Sequence, residues 1–214
     1  MDVGRLTVEL LRPVPLTPLL VTARIVRPGK RVQLVEAIVA AGETEVARAT
    51  ALRIRVAEVA LPPQPIVPVT PTDPMAAPVS QPTSGPGGIA YHRDGVEMRF
   101  VNGSFESDGP CTVWMRLRQP VVAGEHPTPL QLAVAVADFG NGVSKFLSFN
   151  DYTFINPDLT VALHRLPQGE WVGLDAITRA GNHGLGQAES LLFDEQGPLG
   201  RAVQSLYIER HSEA

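Results

Sequence analysis

Shifting the chain against itself by 153 residues lays Leu6-Thr7-Val8 and Leu10 on Leu159-Thr160-Val161 and Leu163, and Arg12 on Arg165. The same offset matches Ala23 with Ala176, Glu36 with Glu189 and Arg48-Ala49 with Arg201-Ala202. One offset held across four apolar runs and their turns marks two copies of one folding unit. The chain is thereby restricted to architectures that pack two such units together.

What each unit contains follows from local pattern. In the first half, Leu6 to Arg12, Leu19 to Arg27, Arg31 to Ala41 and Glu45 to Val56 are rich in Val, Ile, Leu and Thr and separated by Pro or Gly, which predicts four strands and no helix. The second half opens with strands at Val96 to Val101 and Thr112 to Leu117. A helix follows. Thr128 can cap it, Pro129 suits its first turn, and Gly140 with Gly142 can end it. Its residues Leu130, Leu132, Ala133, Val134, Val136, Ala137 and Phe139 are apolar on nearly every side, so it has to be buried, most simply inside a sheet. Four strands complete the copy, at Asp158 to Arg165, Glu170 to Thr178, Gly184 to Asp194 and Gly200 to Glu209. Antiparallel strands around one buried helix, made twice, define an α+β class: a double hot-dog. On this reading the first unit lacks its N-terminal strand and helix, because only four residues precede Arg5, and it exposes an apolar sheet face.

Nine of the twenty prolines fall between Leu61 and Pro86, with Asp73 as the single charge. Such a stretch favours extended polyproline II and reads as a tether with a reach of roughly 80 Å. The expected organisation is therefore a first unit at 1–60, a linker at 61–88 and a second unit at 89–214.

Charge and cysteine usage narrow the function. A net charge of −4 lacks the basic footprint of a nucleic-acid or anionic-membrane binder. The longest uncharged apolar run, Leu130 to Ala137, is far below the ~20 residues that span a bilayer. One cysteine, Cys111, and an N-terminus without a signal-peptide layout point to the cytoplasm. The five histidines are scattered and include no His-Glu-x-x-His pair, so neither a metal nor another cofactor is expected. Nucleophile-elbow and phosphate-loop motifs are missing too. His164 is expected to pack or face solvent, Trp114 and Trp171 to fill core or sheet surface, and Cys111 to be structural.

Several segments together carry a family resemblance: Val96-Glu97-Met98-Arg99, Thr112-Val113-Trp114-Met115-Arg116, Ala137-Asp138-Phe139-Gly140-Asn141, Asn156-Pro157-Asp158-Leu159-Thr160, His164-Arg165, Glu170-Trp171 and Val203-Gln204-Ser205. In order and spacing they resemble the C-terminal half of the type II acyl-CoA thioesterases, double hot-dog enzymes. Residues Arg5 to Val56 resemble the family more loosely. The resemblance implies hydrolysis of acyl-CoA to a free acid and CoA, with acyl-CoA as the small-molecule partner. It also implies an Asp, a Thr or Ser and a Gln that hold the attacking water, at Asp158, Thr178 and Gln204 here.

These residues suit that chemistry, because a thioester is activated enough for an oriented water with a carboxylate base. Taken singly, Asp158 after Pro157 reads as a strand-start residue and Thr178 as a strand former. Gln204 says more, since it shares a strand face with Ala202, Leu206 and Ile208, where a buried amide needs a partner. Copy one offers Arg5, Val26 or a neighbour, and Ala51 or Thr50 at the same positions, so one live site and one degenerate copy are expected. The rival is a noncatalytic acyl-CoA-binding or structural hot-dog protein; a hot-dog dehydratase would need a catalytic His with an acid, and His126 fits no such motif. Open sheet edges and the bare face of copy one favour a homodimer or larger homo-oligomer.

Overall fold

The computed structural model describes residues 1–63, 73–80 and 90–211. The first half contributes β1 (Asp2–Leu10), β2 (Leu20–Arg27), β3 (Val32–Ala41) and β4 (Thr44–Ile54). After the proline-rich region come β5 (Val79–Ser80), β6 (Val96–Asn102) and β7 (Cys111–Leu117), then helices α1 (Pro129–Ala137) and α2 (Gly140–Val143). The chain ends with β8 (Tyr152–Ile155), β9 (Asp158–Leu163), β10 (Val172–Ala180), β11 (Leu185–Asp194) and β12 (Gly197–Arg210). The strands form one 12-stranded antiparallel sheet, in the order β2-β3-β4-β1-β9-β12-β11-β10-β7-β6-β5, with β8 laid on the far end of β12.

The 153-residue offset survives in the registers. Thr7 stands opposite Thr50 as Thr160 stands opposite Val203. Val35 faces Ala51 as Ala188 faces Gln204, and Ala23 faces Ala37 as Ala176 faces Ser190. Where the two sets meet, β1 pairs with β9 and Thr7 lies opposite Thr160, their hydroxyls 3.1 Å apart.

Along the second set, Leu159, Val161, Leu174, Ala176, Leu192 and Ala202 point to one face, which α1 and α2 cover. Leu132, Ala133, Val136 and Ala137 bring the apolar side of α1 down on it, and Met98, Val113 and Met115 extend the same core under β6 and β7. The helix starts as its sequence predicts: Thr128 Oγ1 accepts from Gln131 N, and Gln131 Oε1 accepts from Thr128 N. Its end differs from expectation. Asp138 is the C-cap, and the two glycines continue the chain into α2 instead of stopping it.

In the first set, Leu6, Val8, Val21, Ala23, Val39 and Ala49 hold the equivalent positions. The described residues put no helix on them, and Val21 remains 64% exposed.

Most of the segment expected to be a linker falls on 64–72 and 81–89, outside the described residues. Its described part is tied down rather than free: Asp73 caps a 3-10 turn at Pro74–Ala76, β5 pairs with β6, and Arg99 donates to the Ala77 carbonyl at 3.1 Å. Among the described residues, no helix is long and apolar enough to cross a membrane.

Candidate functional site

Gln204 is 1% exposed, and its partners define a polar cluster that runs from the apolar layer to the surface at Asp138. The backbone N–H of Asn141 donates to Gln204 Oε1 at 2.9 Å. A backbone N–H can only donate, so the oxygen of this amide faces α2 and the nitrogen faces the other way. Gln204 Nε2 accordingly donates to the carbonyl of Asp138 at 3.1 Å and to its Oδ1 at 3.2 Å. Asn156, in the link between β8 and β9, donates from Nδ2 to the same Oδ1 at 3.2 Å. One carboxylate oxygen of Asp138 thus receives two amide donors, while among the described residues Oδ2 has no hydrogen-bond partner. Protein atoms crowd the carboxyl from the helix side, but Asp138 itself is exposed to solvent.

Burial by the surrounding protein pushes the Asp138 carboxyl above its ordinary value, against the opposing pull of the Asn156 and Gln204 hydrogen bonds. An acid held this way is a better proton acceptor than a solvated aspartate.

The sheet makes room for the cluster. Strand β12 pairs with β9 over Gly200 to Val203 and with β8 over Tyr207 to Arg210, leaving Gln204 to Leu206 between the two neighbours. At that break Asp158 Oδ1 accepts from Ser205 N at 2.7 Å, in the place of a strand carbonyl. Thr178 lies elsewhere in the layer, its hydroxyl 2.8 Å from Ser144 Oγ, which in turn donates to the Gly140 carbonyl at 2.8 Å. The hydrogen bonds of Asp158, Thr178 and Gln204 therefore run to three different sets of partners. Gln204 instead shares Asp138 Oδ1 with Asn156.

Neither Asp138 nor Asn156 is among the residues expected at the site from sequence, although both lie in segments that carry the family resemblance. One signal was available: an acid closing an apolar helix is locally unfavourable and calls for an explanation. The other singled-out residues are structural. Burial pushes the Cys111 thiol up to about 12, which keeps it protonated. Trp114 packs edge-on against Phe193, and Trp171 lies under the Arg99 and Arg116 guanidiniums at 5.5 and 4.9 Å. His164 is exposed. Surface recesses of about 370 Å³ near Arg118 and His126 and about 490 Å³ near Ala162 and Arg201 include none of the clustered residues.

Solved structures with the same fold place the molecule among the hot-dog proteins. A hot-dog protein of unknown function from Alicyclobacillus acidocaldarius superposes with a TM-score of 0.73 at 17% identity, covering 100% of this chain and 80% of that one. An acyl-CoA thioesterase II from Mycobacterium marinum gives 0.70 at 16% identity, covering 99% and 82%. Sequence-family comparison then fixes the family: residues 70–208 match the acyl-CoA thioesterase C-terminal domain and residues 2–54 the acyl-CoA thioesterase N-terminal domain. The chain belongs to the acyl-CoA thioesterase family. None of the curated proteins matches it.

Proposed function

We propose that this protein hydrolyses acyl-CoA thioesters with a water activated by Asp138 and oriented by Asn156, while Gln204 holds the carboxylate. The observation that carries this reading is the convergence of both amides on one oxygen of a carboxylate whose affinity for protons is raised. In this scheme Asp138 takes the part that the resemblance gave to Asp158, and Asn156 the part given to Thr178. Asn156 Nδ2 and Gln204 Nε2 are committed to Asp138, so Asp138 Oδ2 and Asn156 Oδ1 are the groups left to accept from a water. Asp138 takes one water proton as the oxygen bonds to the thioester carbon. Collapse of the tetrahedral intermediate breaks the carbon–sulfur bond, and the proton passes to the departing thiolate to give CoA and the free acid.

The architecture proposed with it is two hot-dog units, 1–60 and 89–214, joined by the proline-rich segment at 61–88, and a homodimeric or larger assembly. The shared strand registers and the antiparallel β1–β9 junction support the two-unit reading. The bare apolar face of the first unit supports association.

The test is release of CoA thiol from short, medium and long acyl-CoA esters by the wild-type chain and by Asp138→Asn. Turnover that disappears in the variant supports the reading; equal turnover in both overturns it. Saturable acyl-CoA binding without turnover would move the protein to the noncatalytic alternative.

A further inference from the structure

Among the described residues, one side-chain atom is buried without any hydrogen-bond partner: Oδ1 of Asn141. Asn141 is 8% exposed, and its side-chain amide makes no hydrogen bond, although its backbone N–H holds Gln204. Buried amides in folded proteins are almost always satisfied, and an apolar side chain of the same shape would be the more stable choice at such a position. The preceding residue shows how closely α2 is pressed onto the cluster. A Cβ on Gly140 would come within 2.7 Å of Ser190 Oγ and 2.9 Å of Gln204 Oε1, so only glycine fits there without displacing them.

We propose that Asn141 is a ligand-binding residue of the Asp138 site, its side-chain oxygen reserved for an N–H or O–H donor of whatever occupies that site. This rests on Asp138 and Gln204 forming the site. Two sources supply such a donor: the attacking water, or an amide N–H in the pantetheine arm of the acyl-CoA. In either case the residue does two things at once. Its backbone orients the Gln204 amide toward Asp138, and its side chain meets the ligand. Stability has been given up for an acceptor that only the bound state satisfies.

The experiment compares wild type, Asn141→Leu, Asn141→Ala and Asp138→Asn, with kcat/KM measured on an acyl-CoA and on the matching S-ethyl thioester, which has no N–H, alongside thermal melting. Both Asn141 variants keep the backbone N–H to Gln204. Asn141→Leu is expected to lower kcat/KM about tenfold or more while raising Tm by about 2–4 °C, the response to removing an unsatisfied buried acceptor. Loss on both substrates identifies water as the donor, and loss on acyl-CoA alone identifies the pantetheine amide. Unchanged kcat/KM in both variants, or a lowered Tm in Asn141→Leu, overturns the proposal. If Asp138→Asn is inactive while the Asn141 variants are not, this inference alone fails; if Asp138→Asn keeps full turnover, the site reading fails with it. Should the wild type not turn over, calorimetric binding of acyl-CoA decides: weaker binding by Asn141→Leu supports the proposal, and equal or absent binding overturns it.

Discussion

Strands β1 to β4 and strands β9 to β12 share one offset and one set of registers, yet among the described residues only the second set is covered by helices and only the second holds a polar cluster. At the 153-residue offset Gln204 falls on Ala51, Ser190 on Ala37 and Thr178 on Ile25, so the first set of strands is apolar where the second is polar. The contrast teaches that strand pairing and site chemistry are specified separately. Backbone hydrogen bonds hold a register with almost any side chain, whereas burying a carboxylate or amide costs stability unless neighbours on other elements satisfy it. The same lesson holds for the repeated arginine. Arg165 donates to buried Asp194, with Nη1 to Oδ2 at 2.7 Å, while its counterpart Arg12 is exposed and the position matching Asp194 is Ala41.

The largest effect that separates the two candidate acids is catalytic. Asp138→Asn is expected to lower kcat for an acyl-CoA by roughly 10²–10⁴-fold, the usual contribution of a general base. Asp158→Asn keeps an oxygen for Ser205 N and is expected to leave kcat within a few-fold; stopped thiol-release assays on both variants decide the assignment. A comparable loss in Asp158→Asn would return the water to the residue that the resemblance first indicated.

Next in size is the arginine pair. Arg165→Ala strands a buried carboxylate and is expected to destabilise the protein by about 3–5 kcal/mol, against less than ~0.5 kcal/mol for Arg12→Ala. Burial alone would raise the Asp194 carboxyl, but Arg165 and the N–H groups of Gln168 and Gln196 hold it below its ordinary value of 3.8. A depressed folded value means that this stabilisation is present above the unfolded value and is lost as pH falls through the folded one. Urea titrations should therefore show the gap between wild type and Arg165→Ala closing below that range, and a gap constant down to the most acidic folded conditions would break the argument.

The covered and uncovered faces can be compared at equivalent positions. Leu174 is fully buried, and Leu174→Ala is expected to cost about 2–5 kcal/mol. Val21, its counterpart at 64% exposure, is expected to tolerate Val21→Ala within about 0.5 kcal/mol. Equal losses in chemical denaturation would mean that the first face is also covered in solution.

The smallest expected effect is a shift in pH dependence. Because the folded value of Asp138 is raised, the acidic limb of kcat/KM should lie above the range of an ordinary aspartate, with activity rising as pH rises through it. Gln204→Leu removes a hydrogen bond that favours the ionised form, so whatever activity it retains should show that limb moved further up. A limb that moves down in Gln204→Leu would contradict the orientation given to this amide.

The strands and the capped apolar helix were legible in the sequence because each is written in local spacing: alternation and a Thr-Pro start. Two short strands were not. β5 sits within proline-rich sequence and β8 is four residues long, so their pairing depends on neighbours that approach from elsewhere in the chain. Of the three residues expected at the site, Gln204 alone announced its environment, since an amide on an apolar strand face requires a partner wherever that partner comes from. Which partner it finds was decided by tertiary structure. Asp138 lies 66 residues away in sequence and Asn156 comes from a third segment, and no periodicity links them. Asp158 and Thr178 had the right chemistry, but the break in pairing along β12 assigns Asp158 to a backbone N–H and the descent of α2 assigns Thr178 to Ser144. Local sequence determined which elements form and in what register; only their packing decided which polar groups meet.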